Sequence, residues 1–135
     1  SKLSPAAVAL VSDIARNYGL TALAPDTDGV LRVDIDGQEV LLVFSDAWGS
    51  VFLTSVLAIT ETLPDRALYR AFALRSRFQG RTTRIAREPN SGALVVVAEI
   101  SLNGLHYAAF ALAMAGFLAD TRLARAELSL VAVDG

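Results

Sequence analysis

Cysteine is absent from the 135 residues, which excludes a disulfide framework, a thiol nucleophile and sulfur ligation of a metal. Histidine occurs once, as His106 between Leu105 and Tyr107, so the serines and threonines have no second imidazole to activate them. No G-x-S-x-G elbow, P-loop or G-x-G-x-x-G stretch is present. Asp26 and Asp28, and Asp34 and Asp36, stand in turn-forming sequences with no calcium-loop spacing after them. No catalytic residue, metal site or cofactor is therefore expected, and the chain reads as a non-enzyme. Long hydrophobic runs are also missing. The longest, Tyr107 to Ala119, is too short to span a bilayer and reads as a buried helix. The opening stretch carries Asp13 and helical polar spacing, unlike a secretory signal.

Charge is scarce too, at 19% against 53% apolar residues. One small domain does not need so much apolar surface, so part of it is expected to meet a partner. The charges present are unevenly spread. Residues 1–61 carry eight acids and three bases, residues 62–87 one acid and seven arginines, and residues 88–135 five acids and two bases. The arginine-rich middle invites a nucleic-acid reading. Without an accompanying platform of stacking aromatics, and with an acidic remainder, pairing with the acidic first third of this chain or a partner chain is the better expectation. No nucleic-acid partner is expected.

Ser4 followed by Pro5 starts a helix, which keeps Val8, Val11, Ile14, Ala15 and Tyr18 in helical spacing and stops at Gly19. Two strands flank Asp36-Gly37, the strongest short hairpin signal available. The first alternates Leu31, Val33 and Ile35 with Arg32 and Asp34; the second, Val40 to Phe44, is apolar on both faces. Ser50 to Thr60 reads as a third strand, and Leu63-Pro64-Asp65 opens a second helix that closes at Gly80. Arg81 to Arg87 and Ala93 to Leu102 flank a turn and form a second hairpin. Asn103 caps a third helix from about Gly104 to Ala126, with Arg122 and Arg125 near its end. The last residues, 127–135, read either as a loose tail or as a short extra strand. The order α-β-β-β-α-β-β-α describes one α+β domain over residues 1–135, with a mostly antiparallel sheet. Strands apolar on both faces need cover on both, from the third helix, a second subunit or a ligand chain.

The second helix carries one anomaly. At 100° per residue, Ala67, Leu68, Ala71, Phe72, Leu74 and Phe78 form an apolar arc, yet Arg75 projects from its middle.

The order resembles that of the class I type III secretion chaperones, the CesT/Tir-chaperone family. Similar phrases recur at Asn17 to Leu20, Asp36-Gly37, Leu63 to Asp65, Ile85 to Leu105 and Phe117 to Ala119. The resemblance implies a non-enzymatic homodimer in the bacterial cytoplasm, binding the extended N-terminal segment of a secreted effector and keeping it competent for secretion. It also implies that the second helix contributes to the dimer interface, with Leu68, Phe72, Arg75 and Phe78 as candidates. There Arg75 would lay its stem along the partner and send its guanidinium to a carboxylate or carbonyl across the seam. For effector contacts, Val40, Leu42, Val51 and Leu53 are expected on the exposed side of the first three strands. The YbjN-like stress or regulatory proteins are the alternative reading within the same fold.

Overall fold

Asp36 and Gly37 both adopt left-handed backbone, with φ of 52° and 78°, the geometry of a two-residue turn that matches strand twist. They join β1 (Val30–Ile35) to β2 (Gln38–Ser45), and a second tight turn leads to β3 (Ser50–Ile59). The computed structural model describes residues 3–20, 25–59 and 63–134. Within it the remaining elements are α1 (Pro5–Asn17), α2 (Asp65–Ala73), β4 (Arg84–Arg87), β5 (Ala93–Ser101) and α3 (Tyr107–Asp134). The α+β order expected from the sequence is the order observed. Thr60 lies outside the described residues.

The five strands form one antiparallel sheet in the order β1-β2-β3-β5-β4, so β1 and β4 are its edges. Leu31, Leu42, Leu53 and Ala98 lie side by side in register, all buried on one face. The helices close over that face. α1 contributes Ala7, Leu10, Val11 and Ile14, α2 contributes Ala67 and Ala71, and α3 contributes Phe110, Met114, Phe117, Leu118, Ala124 and Leu128. Ala93 and Val95 are also buried but stand outside this cluster, on the sheet's other face.

Helix ends follow local chemistry. Ser4 Oγ accepts from Ala7 N at 3.2 Å, and Gly19 turns left-handed so that Leu20 N reaches Ala15 O. The buried stripe of α1 is 7-10-11-14, which leaves Val8 exposed. α3 starts later than expected. Asn103 and Gly104 form a turn, with Gly104 at φ 66° and Leu105 N donating to Leu102 O, so Asn103 does not cap the helix. Instead, Ala109 N and Phe110 N donate to His106 O. The helix then runs to Asp134, through the segment read as a loose tail or strand, because no proline or glycine interrupts residues 117–134. Arg122 and Arg125 consequently sit within it, and Arg125 donates to Val56 O at 3.0 Å.

Candidate functional site

Strand pairing fixes which apolar residues are free for a partner. Arg32 pairs with Leu41, Leu41 with Thr54, and Thr54 with Val97, a row on the face opposite the helices. Val43 pairs with Phe52 beside it. Leu41, Val43, Phe52, Thr54 and Val97 are all half-buried, making an apolar strip that none of the three helices seals. The residues expected here point the other way. Val40, Leu42, Val51 and Leu53 are completely buried, in the core beneath the helices. Side chains alternate across a strand, so a choice one residue out of phase moves the whole set to the wrong face.

Helix α2 is shorter than the sequence predicts. Regular helix ends at Ala73, Leu74–Arg77 continues as one tighter turn, and Phe78 is extended. Ala67, Ala71 and Leu74 face the core. Leu68 and Phe78 are half-buried, whereas Phe72 is 45% and Tyr69 is 78% exposed. Arg75 falls in the tight turn and is exposed, so it is not trapped on a buried face. The anomaly in the arc resolves into an apolar flank, Leu68 and Phe72, continued by an arginine that reaches water.

The tight turn has an identifiable anchor. Asp120, buried within α3, accepts hydrogen bonds from Gln79 N at 2.7 Å and Gly80 N at 3.0 Å. A side chain at Gly80 would meet Thr83 Oγ1 at 2.2 Å, so only glycine fits there. Beyond this loop, Thr82 Oγ1 donates to Glu99 O at 2.8 Å and accepts from Glu99 N at 2.9 Å. A hydroxyl thus stands in for a neighbouring strand, because β4 pairs only with residues 94–97 of the longer β5. The loop, the end of β5 and the first turns of α3 enclose a groove of about 650 Å³. Ile100, Ala109, Leu112, Ala113 and Gly116 line it, and Leu112 is 77% exposed.

Electrostatics divide the molecule by edge. Arg32 pairs with Glu39 at 3.3 Å near the β1 edge, and Arg77 pairs with Glu127 of α3 at 2.9 Å. Among the described residues, Arg66, Arg70, Arg75, Arg81, Arg84 and Arg87 have no carboxylate partner. Among the described residues these arginines make no ion pair with the acids of the first third, and the strand order holds Arg84 and Arg87 of β4 at the opposite edge from Asp34 of β1. In the β4–β5 turn, the Ser91 hydroxyl, together with Asn90 N and Ser91 N, which donate to Glu88, holds the Glu88 carboxyl below its ordinary value of 4.5. His106 is exposed at the start of α3. Among the described residues no group of three or more acids and histidines converges to hold a metal, and no helix is long and apolar enough to cross a membrane.

Sequence parity missed Leu41, Val43 and Phe52, although Arg32 and Asp34 mark their face. Tyr69 and Leu112 carried no signal beyond being apolar.

Among solved structures, the chain is similar to one in the HopA1-SchA chaperone-effector complex, at 20% identity and a TM-score of 0.72, covering 92% of this chain and 98% of that one. It is also similar to a chain of the ExsC-ExsE complex, at 17% identity and a TM-score of 0.77, covering 95% and 97%. YbjN, a putative transcription regulator from E. coli, shares the fold less closely, at 15% identity and a TM-score of 0.58, covering 94% and 93%. No curated protein matches the sequence. The family model of the Tir chaperone protein (CesT) family matches residues 9–125, which take in the whole sheet, all of α2 and most of α1 and α3. The chain belongs to the Tir chaperone protein (CesT) family.

Proposed function

We propose that the protein is a cytoplasmic, non-enzymatic type III secretion chaperone of a bacterium, binding the extended N-terminal segment of a secreted effector as a homodimer. The observation that carries this reading is the half-buried strip of Leu41, Val43, Phe52, Thr54 and Val97, in a chain of a chaperone family. An extended client supplies side chains to such a strip at every second residue, and backbone groups to a free edge such as β1. Covering the client's apolar groups keeps it from burying them in itself. No cofactor enters this activity.

The dimer seam runs along the α2 flank. Leu68, Phe72 and Phe78 provide the apolar contact, while Arg75 lays its stem over the partner and bonds a carboxylate or carbonyl there. Purification from the native host, with mass spectrometry of what accompanies the protein, tests the client: a secreted effector is the expected companion. Recovery of transcription or stress-response factors instead would favour a regulatory module of the YbjN kind. Sedimentation tests the seam. Arg75→Glu should give a folded monomer, and an unchanged dimer would rule out this use of Arg75.

A further inference from the structure

We infer that Asp120 and Glu127 of α3 are positioning residues for the dimer seam, holding the end of α2 in the shape that a second copy meets. The inference rests on the seam reading above and adds to it the part of the chain that presets the seam. Residues 78–83 belong to neither helix nor strand, so no regular ladder of hydrogen bonds fixes Phe78. α3 supplies the fixing instead. Asp120 accepts from Gln79 N at 2.7 Å and from Gly80 N at 3.0 Å, and Glu127 accepts from Arg77 Nη1 at 2.9 Å. Phe78 thus stands between two clamped neighbours, extended at φ −74° and ψ 142°, with its N–H donating to Arg75 O.

The two carboxylates are seven residues apart, which places them two turns, or about 10.5 Å, along one side of α3. Ala124 lies between them and is completely buried, as are Met114 and Phe117 nearer the start of the helix. The clamp is therefore seated on the core. Asp120 itself is buried and meets no cation among the described residues. A carboxylate so placed is costly unless donors satisfy it, and the two N–H groups do so. Gly80 cooperates, because a side chain there would strike Thr83 Oγ1 and push the loop off α3. The Arg77–Glu127 pair, exposed on its arginine side, adds little to folding; what it does is fix the direction in which Phe78 leaves the turn. A face held in this way loses little freedom when a partner arrives, whereas a floating Phe78 would have to be ordered at that moment.

The test uses the full chain and reads the dimer dissociation constant by analytical ultracentrifugation, with circular dichroism to check the fold of each variant. Arg77→Glu, at an exposed position, should raise the constant about fivefold, and Glu127→Arg in the same chain should restore it to within about twofold. An arginine that touched the partner directly would not be rescued by a change on α3. Asp120→Asn should raise the constant about tenfold. Phe78→Ala should do about the same, and adding Asp120→Asn to it should cost about threefold more at most, since the residue it aims is gone. Unchanged dimerisation in Asp120→Asn, full additivity with Phe78→Ala, or a swap without rescue overturns the inference and leaves the seam standing. Should Asp120→Asn fail to fold, the swap of Arg77 and Glu127 decides by itself. A wild-type chain that sediments as a monomer overturns the seam reading, and the inference with it.

Discussion

Removing the buried Asp120 carboxylate leaves two backbone N–H groups, of Gln79 and Gly80, with no acceptor in a part-buried setting. Asp120→Ala should therefore destabilise the protein by about 2 kcal/mol, with Asp120→Asn intermediate because one oxygen remains. Urea denaturation measures this, and a loss under about 0.5 kcal/mol would mean that the loop is held by something else. Tyr107 gives a second single-residue expectation. Burial, aided by the neighbouring Tyr18, pushes its phenol up from 10 to about 12. The folded value lies above the unfolded one, so folding favours the neutral ring. Its contribution is whole below pH 10 and disappears as the pH rises to about 12. In an absorbance titration of tyrosinate, Tyr107→Phe should delete the last step; a titration whose end is unchanged would contradict the assignment.

At the scale of elements, the open sheet face and the core face make opposite demands on neighbouring residues of the same strands. Leu42→Ala opens a cavity under the helices and should destabilise by about 3 kcal/mol. Phe52→Ser, on the half-covered strip, should lose less than about 1 kcal/mol yet weaken client binding sharply. Equal destabilisation of the two would reverse the assignment of faces. That assignment was within reach of the sequence. The two-residue turn at Asp36-Gly37 pairs Asp34 with Glu39 and Arg32 with Leu41, so the wet face of β1 already names the outward residues of β2. The strands, the hairpins and the start of α1 are local matters of turn chemistry and alternation and read correctly for that reason, except that β4 begins at Arg84 and not at Arg81, where the Thr82 hydroxyl takes the place of strand pairing. The end of α2 is different. Nothing in "ALRSRF" breaks a helix; the break is fixed by Asp120, a residue about forty positions further on that captures Gln79 and Gly80. The late start of α3 has a local cause, the left-handed Gly104, which a capping rule centred on Asn103 overlooks.

The whole molecule is a sheet finished on one side only. Three helices seal the core face, while the other face keeps a strip of partly covered aliphatic and aromatic groups. Purified protein without a client should consequently bind an apolar dye such as anilinonaphthalene sulfonate while remaining cooperatively folded, and a bound client should displace the dye. A client-free protein that leaves the dye dark would indicate that the strip is closed by other means. Composition announced the excess of apolar surface but not its location, because location is a matter of register and not of content. The charge imbalance is similar: seven arginines in one stretch are plain in the sequence, but only the strand order reveals that Arg84 and Arg87 of β4 and Asp34 of β1 occupy opposite edges of the sheet.

The tether from Asp120 also bears on the order in which the molecule is completed during translation. All five strands leave the ribosome before the helix that roofs β3 and β5, and before the carboxylate that fastens the turn after α2. For that interval α1 and α2 are already made, but the part of the sheet that α3 will roof is bare above as well as below, so the nascent protein passes through a stage in which it needs shelter of its own.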